Sequence, residues 1–587
     1  MLKSDNIVSP NQFFIARIIS WFMIFILIGR YFQIQILEHE SYSLKSNTNR
    51  IRKVTKNAPR GLILDRYGEI LVDNYPVYVL TAIPGEMNNK MEQFSLIADY
   101  INSDSSIIHS NYKKYYRGRF VPTRLAKDID FFQLSNLEEN KLNLEGVYYD
   151  QIPERYYPNG VRAPHLFGYV KEIDREIRKN LPNKQLYELG DLVGWSGLEK
   201  QYENYLMGKR GTYFYEVDAS GKEVGSALEL VDTRPDPGYN IQTTIDLELQ
   251  MYIEKILKNK KGVILVGVPN TGQILAAASV PDYSPDLFTG MMTENKWKSI
   301  KENPDTPLVN RYIQGTYIPG SIVKMISQIA ILRYGNLNIE KTHFCSGFYQ
   351  FGDRIYGCWV TDGHGEVNMT QAMAMSCDVF FYKTIQQINI DKLHDVFKEF
   401  GFGKKTNIDI PNESIGLVPN KDYLMNRYGK YGWSKGTLLN LSIGQGELLV
   451  TPIQVLNYIN LIATKGNSSS CHFVLVDNLP ENSKPKLQKE HWVQVHEGLS
   501  SAIISKNGTG RKSDPLIEGL KIYGKTGTAE NPHGDNHAWY TGWAEYHNKK
   551  YSIVILLENA GSGGSVAAPI AKLVFKKIIN DQLVASK

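Results

Sequence analysis

Two residues carry the first hint of chemistry in this chain, Ser321 and Lys324, within Tyr317-Ile-Pro-Gly-Ser-Ile-Val-Lys-Met-Ile-Ser-Gln-Ile-Ala-Ile-Leu332. A serine hydroxyl is a poor nucleophile until a base takes its proton, and an unprotonated lysine can do that. Apolar residues at Ile322, Met325, Ile326, Ile329 and Leu332 predict a helix against a core after the Pro319-Gly320 turn. Ser321 then sits at the helix N-terminus with Lys324 one turn on, on the same face. That terminus also offers free N–H groups and a positive field to a developing oxyanion. The spacing alone decides nothing, because Ser-x-x-Lys recurs in polar stretches at Ser110/Lys113 and Ser483/Lys486. Two later segments supply more: Ser376-Cys-Asp378, followed by apolar Val379-Phe380-Phe381, and Lys525-Thr526-Gly527-Thr528, expected at the end of a strand. The first residues of the three segments are separated by 55 and then 149 positions.

A second group has the makings of a metal site. Cys345, Cys358, His364 and Cys377 follow the pattern Cys-x12-Cys-x5-His-x12-Cys, and Cys471 is the only other cysteine. Three thiolates and an imidazole are common tetrahedral zinc ligands, although these gaps exceed those of finger motifs. The same residues allow a disulfide with a spare thiol, as between Cys345 and Cys358, or three buried unligated cysteines. Asp362 replacing one ligand is a variant of the first reading.

These groups need a frame to hold them. A chain of 587 residues has length for two or three domains and a large core. Its 22% charged and 42% hydrophobic content is ordinary for globular proteins. A net charge of +5, with no basic tract interleaved with aromatics, argues against nucleic acid as a partner. Residues 13–37 are apolar over the length of one membrane span, with Arg17, Arg30, Trp21 and Tyr31 towards the ends. No small-x-small cleavage site follows, so an uncleaved anchor behind a tail of residues 1–12 is expected. Counting Lys3 and Arg17 against Arg30, Lys45, Arg50, Arg52 and Lys53 would keep the C-terminal part inside. Long domains translocate regardless of flanking charge, so orientation is left to the chemistry.

Residues 38–235 are expected to form a pedestal with a head subdomain around residues 87–190, including a helix near residues 91–101. It holds no catalytic constellation. Residues 58–71 read as two strands around a turn at Arg66–Gly68, with Asp65 expected to pair with Arg60 and Arg66. The prolines and glycine of residues 233–240 mark the boundary to a domain spanning residues 236–587. There, strands at residues 262–268 and 273–280 come early, and strands at residues 520–523, 538–544 and 551–557 come late. Helices lie between them, and residues 566–579 close the chain as an amphipathic helix. The fold class is α+β, with one antiparallel sheet assembled from both ends of the domain and flanked by helices.

Ser-x-x-Lys, Ser-Asp-Asn and Lys-Thr-Gly form the set shared by serine β-lactamases and penicillin-binding proteins. The chain resembles the class B penicillin-binding proteins, and within them the elongation-type members. The resemblance spans the anchor, the Arg60-Gly-x-x-x-Asp-Arg66 box, Ser196-Gly-Leu-Glu-Lys200 and Ile443-Gly-Gln-Gly446. Asp378 stands where most of the family has Asn, as elongation-type members tend to show, leaving open whether it accepts as a carboxylate or carries a proton.

The resemblance implies a serine β-lactamase-like transpeptidase domain on a membrane-anchored, elongated pedestal. It implies a peptidoglycan D,D-transpeptidase acylated by β-lactams, with a D,D-carboxypeptidase or a penicillin-binding sensor as alternatives on the same fold. Ser321 would attack the penultimate D-Ala of a stem peptide. Lys324 would be the base, its pKa lowered by burial and by Lys525. Ser376 would relay the proton to the leaving amine, and Lys525 and Thr526 would bind the terminal carboxylate. Backbone N–H groups of Ser321 and Thr528, across Gly527, would form the oxyanion hole. No cofactor is needed for catalysis. Relatives can hold a metal at a place similar to the cysteine cluster, with aspartates among its ligands, so a structural Zn2+ is expected. Expected partners are stem peptides, β-lactams, the membrane, a polytopic glycan polymerase of the shape, elongation and division family, and other elongation-complex proteins. The expected location is the bacterial inner membrane, single-pass, with the catalytic domain in the periplasm.

Overall fold

The computed structural model describes residues 10–39, 51–218, 223–227, 230–288, 294–429, 433–476, 484–532 and 534–585. Most of the expected cytoplasmic tail, residues 1–9, and Lys45 and Arg50 lie outside the described residues. The apolar stretch forms a helix, Pro10–Phe32, that continues as a π-helical turn over Gln33–Leu37. The candidate span Asn11–Leu37 covers 27 residues and contains an 18-residue stretch with a mean hydropathy of 2.0, none of it buried. At 1.5 Å per residue it reaches about 40 Å, enough to cross a hydrocarbon core of about 30 Å.

The chain divides into two compact units. One comprises Met1–Pro59, Val77–Ile152 and Lys209–Pro237. Within it, helices Lys90–Tyr100, Ser105–Tyr115 and Phe131–Glu139 accompany an antiparallel pairing of residues 78–82 with residues 123–129. Leu80, Phe94, Ile97, Leu125 and Leu137 form its core. The caps follow from sequence: Asp104 accepts the Ser106 N–H, and Asp130 and Gln133 form a capping box. A separate ribbon pairs Ile51–Lys56 with Gly211–Val217 and that strand with Glu223–Ser226.

The other unit comprises Arg60–Pro76, Pro153–Gly208 and Gly238–Lys587. Its hairpin at residues 63–72 forms as expected, but the ion cluster there is built differently. Asp65 accepts the N–H groups of Tyr67 and Glu69 at 2.7 and 2.9 Å, so it caps the turn. Arg60 instead reaches Glu199 and Glu203, both at 2.6 Å, and Arg155 meets the other oxygen of Glu199 at 2.6 Å. Burial alone would push the Glu199 carboxyl up; Arg155 and Arg60 outweigh it and hold it below its ordinary value.

The central sheet has five antiparallel strands, labelled here β1 (Gly262–Gly267), β2 (Ile274–Val280), β3 (Lys521–Ala529), β4 (His537–Tyr546) and β5 (Lys549–Leu557). Their order is β2-β1-β5-β4-β3, so the early pair joins the late three through β1 and β5. Side chains alternate between the two faces, as strand geometry requires. Ile264, Val266, Ile553 and Ile555 share one core with Leu249, Ile253, Val574 and Phe575, from helices Leu247–Leu257 and Ala568–Ala585. Val263, Leu265, Val554 and Leu556 share the other with Ile326, Ile329, Val455 and Ile459. A helix–sheet–helix sandwich results, the expected α+β arrangement.

The third motif lies towards the end of its strand, as expected, but the strand runs further than residues 520–523: Lys525-Thr-Gly-Thr528 is itself part of β3, which continues to Ala529 opposite His537. Gly524 and Gly527 hid this from the sequence. A Cβ on Gly527 would lie 2.9 Å from Ile322 Cγ2 and 3.0 Å from Pro319 O, so the glycine serves a close approach within a strand.

Candidate active site

Ser321 lies in a 3-10 turn, Gly320–Val323, and the α-helix proper is Lys324–Tyr334. The expected helix thus starts three residues later than the sequence indicates. Gly320 has φ +58°, and a Cβ there would come 2.7 Å from Thr528 O. The turn is tied down on several sides. The Gly320 N–H donates to Gly444 O at 2.9 Å, and the Trp539 indole donates to Ile318 O at 3.1 Å. Tyr317 donates its hydroxyl to Glu558 at 2.7 Å, and Arg311, almost wholly buried, pairs with the same carboxylate at 3.0 Å. Ile322, Met325, Ile326 and Ile329 are buried beneath.

Ser376 sits between helices Met369–Ala374 and Asp378–Ile385. It has φ +58°, a conformation that costs a non-glycine residue about 1–3 kcal/mol and persists where its surroundings enforce it. Here the Cys377 N–H donates to Ala372 O at 2.9 Å. Asp378 begins the second helix, where the dipole favours negative charge.

The fold brings the three motifs together around Ser376. Lys324 Nζ donates to Ser376 O at 2.8 Å, to Ser376 Oγ at 3.2 Å and to Asp378 Oδ1 at 2.7 Å. Lys525 Nζ donates to Ser376 Oγ at 2.8 Å and to Thr526 O at 3.0 Å. Both lysines are 0% exposed. Burial and then the charge of Lys324 pull the Lys525 amine well below its ordinary pKa. Burial pushes the Asp378 carboxyl up, opposed by Lys324. Lys324, expected as the base, has the Asp378 carboxylate as its partner. Asp378 acts as an acceptor on both oxygens, taking the Trp359 N–H on Oδ2 at 3.2 Å.

On β3, Thr526 Oγ1 donates to Thr509 Oγ1 at 2.9 Å. Thr528 Oγ1 accepts the Gly563 N–H at 3.4 Å, and Thr528 O accepts from Gln445 at 3.3 Å. Thr509, Trp359 and the Arg311–Glu558–Tyr317 chain escaped the sequence reading. None carries a motif: Thr509, Trp359 and Glu558 come from other elements, and Arg311 and Tyr317 from the segment just before Ser321.

The four candidate metal ligands also converge. The ligand atoms of Cys345, Cys358, His364 and Cys377 lie within 4.8 Å of one another, and the three cysteines are buried. His364 Nδ1 is 3.5 Å from Cys358 Sγ and 3.6 Å from Cys345 Sγ. All four cysteines of the chain are free thiols, so neither the Cys345–Cys358 disulfide nor any other is present. Asp362 is exposed and outside the group. A tetrahedral ion with Zn–S bonds of about 2.3 Å needs ligand atoms roughly 4 Å apart, so this donor set fits zinc. The Asp378 N–H donates to Cys358 Sγ at 3.4 Å, so the cluster adjoins the middle motif directly.

Comparison with known proteins places these features in context. A family model described as the penicillin binding protein transpeptidase domain matches residues 262–578, and one for the penicillin-binding protein dimerisation domain matches residues 55–243. The chain is 31% identical to a peptidoglycan D,D-transpeptidase MrdA of Acinetobacter baumannii, over 98% of this chain and 88% of the relative. A solved complex of PBP2 with MreC from Helicobacter pylori is similar at 30% identity and a TM-score of 0.81, covering 90% of this chain and 98% of that one. A structure titled for the coordination of polymerization and crosslinking by a peptidoglycan synthase complex is similar at 29% identity and a TM-score of 0.70, covering 97% and 98%.

Proposed function

The chain belongs to the penicillin-binding protein transpeptidases, and on that premise we propose how its residues carry out peptidoglycan D,D-transpeptidation. It is a serine-type D-Ala-D-Ala transpeptidase. Ser321 Oγ attacks the carbonyl carbon of the penultimate D-Ala as Lys324 takes the hydroxyl proton. Asp378, pushed up by burial, is the seat for the surplus proton of Lys324 when that amine turns to Ser321. The bond to the terminal D-Ala breaks, and the leaving nitrogen collects a proton through Ser376 Oγ. The amine of a neighbouring stem then attacks the ester, gives up its proton along the same path, forms the cross-link and frees Ser321. Lys525 and Thr526 hold the terminal carboxylate. The backbone N–H groups of Ser321 and Thr528 receive the oxyanion, each worth about 3–4 kcal/mol in such sites. One observation carries this reading: Ser376 Oγ lies within hydrogen-bond reach of both lysines, joining the three motifs in one proton path. Supplied with lipid-linked glycan polymer, the enzyme should form cross-linked stem dimers, and Ser321→Ala should form none.

The same reading extends outward from the site. Cys345, Cys358, His364 and Cys377 hold a structural Zn2+ that pins the loop after the Ser321 helix to the middle motif; the donor set supports it. Protein purified without chelator should carry about one zinc per chain. The segments divide by role: residues 1–12 as tail, 13–37 as anchor, 38–235 as pedestal with a head around 87–190, and 236–587 for transpeptidation. The glycan substrate lies outside the cytoplasmic membrane, so the chain has its N-terminus inside and its catalytic part in the periplasm. Protease added to spheroplasts should therefore degrade residues 236–587. The pedestal docks a polytopic glycan polymerase and other proteins of the elongation complex, a reading supported by the relatives solved with MreC and in a peptidoglycan synthase complex.

A further inference from the structure

Thr509 belongs to none of the three motifs, yet it touches two of them. Its hydroxyl accepts from Thr526 Oγ1 at 2.9 Å, and its own N–H donates to Ala374 O at 3.2 Å. Thr509 Oγ1 also faces Ala374 O at 3.5 Å, two residues before Ser376. The residue is half-buried, in a turn after helix Lys489–Ile504. Its backbone is crowded: a Cβ on Gly564 would lie 2.9 Å from Thr509 O, and one on Gly508 only 2.4 Å from Ala502 O. Close backbone approaches on both sides thus hold the turn that carries the hydroxyl.

The direction of this hydrogen bond matters. As it stands, the Thr526 hydroxyl spends its single proton on Thr509 and offers only lone pairs to the cleft. A carboxylate accepts only, so Thr526 must turn its proton outward to hold one. Thr509 permits that turn, because a hydroxyl both donates and accepts: it lets go of Ala374 O, already at a weak 3.5 Å, and donates to Thr526 Oγ1. The Thr526 hydroxyl then accepts from Thr509 while donating to the carboxylate, and chained hydrogen bonds of this kind strengthen one another.

We propose that Thr509 is a positioning residue of the carboxylate subsite, a reversible hydrogen-bond partner that sets the rotamer of Thr526 and lets it donate to the terminal carboxylate of the donor peptide. The inference deepens the reading of Lys525 and Thr526 as carboxylate anchors and rests on it. A valine at position 509 keeps the shape and removes the reversal; a serine keeps the reversal.

The test uses the full chain in detergent and two probes, a D-alanyl thioester ending in a free carboxylate and the same thioester with that carboxylate methylated. Acylation by each is measured for the parent, Thr509→Val, Thr509→Ser and Thr526→Val, with rates normalised to the fraction of chains that a β-lactam can label. Thr509→Val should lower kcat/KM for the carboxylate probe about fivefold to tenfold, mainly through KM, and leave the methyl ester within about twofold. Thr509→Ser should stay near the parent on both. Equal losses on both probes in Thr509→Val would assign the residue to packing alone and overturn the proposal. Parental behaviour of Thr509→Val, with discrimination lost in Thr526→Val, would overturn it while leaving the anchor intact. Unchanged discrimination in both valine variants would overturn the anchor and the proposal with it.

Discussion

At the scale of single residues, the site turns on how two buried amines share one hydroxyl. Lys324→Ala should abolish acylation, because it removes the proposed base and leaves Asp378 without its partner at 2.7 Å. Lys525→Ala should hurt carboxylate-bearing substrates most, raising KM more than it lowers kcat. Stopped-flow acylation with matched acid and ester substrates reads both effects; near-parental acylation in Lys324→Ala would reassign the base. Ser321, both lysines and the four metal-ligand candidates were legible as residue types at fixed spacing. The partners that set their charge were not. Nothing in Ser376-Cys-Asp378 says that its aspartate will meet Lys324, because that contact is made by a fold that brings together residues 54 apart. Thr509 is illegible for the same reason: its partner Thr526 stands 17 residues away on a strand the sequence ended too early.

At the scale of elements, close backbone approach fixes the geometry. Gly527→Ala would drive a methyl to 2.9 Å from Ile322 Cγ2 and 3.0 Å from Pro319 O, displacing the turn that carries Ser321. The expected result is an acylation rate lowered by about tenfold or more with the melting temperature nearly kept; a rate within twofold of the parent would show that the turn yields. Strand alternation and apolar helix spacing told where the sheet and its helices lie. The same reasoning failed where glycines interrupt a strand for the sake of a neighbour. The hairpin after Arg60 shows another limit. Arg60, Arg155 and Glu199 come together from positions 60, 155 and 199, so the sequence reading turned to the local Asp65 instead. Glu199→Ala leaves two arginines buried without their shared partner and should cost about 3–5 kcal/mol in denaturant unfolding. The sign with pH follows from its depressed carboxyl. The ion cluster contributes in full above the ordinary glutamate value of about 4.3 and is lost as pH falls through the lower folded value. Glu199→Gln should therefore lack that acid limb.

At the scale of the whole molecule, packing does not follow the expected boundary near residue 236. Ile63, Leu71, Phe167 and Leu198 share one hydrophobic core with the Ser321 helix and the central sheet. A fragment starting at Gly238 should therefore melt lower than the full chain, or fail to fold, by circular dichroism. The zinc proposed for the cysteine cluster is tested at this scale too: a chelator, or Cys358→Ser, should lower both melting temperature and acylation rate, since Cys358 accepts the N–H of Asp378. An apolar N-terminal helix was plain from composition, whereas the flanking charges alone would keep the C-terminal part inside, against the orientation proposed above. All of these readings depend on one covalent event. Intact-mass analysis of the full chain after β-lactam treatment, followed by peptide mapping, tests it most directly. The account predicts a single adduct on the peptide containing Ser321, absent from Ser321→Ala; an undiminished adduct in that variant would contradict it.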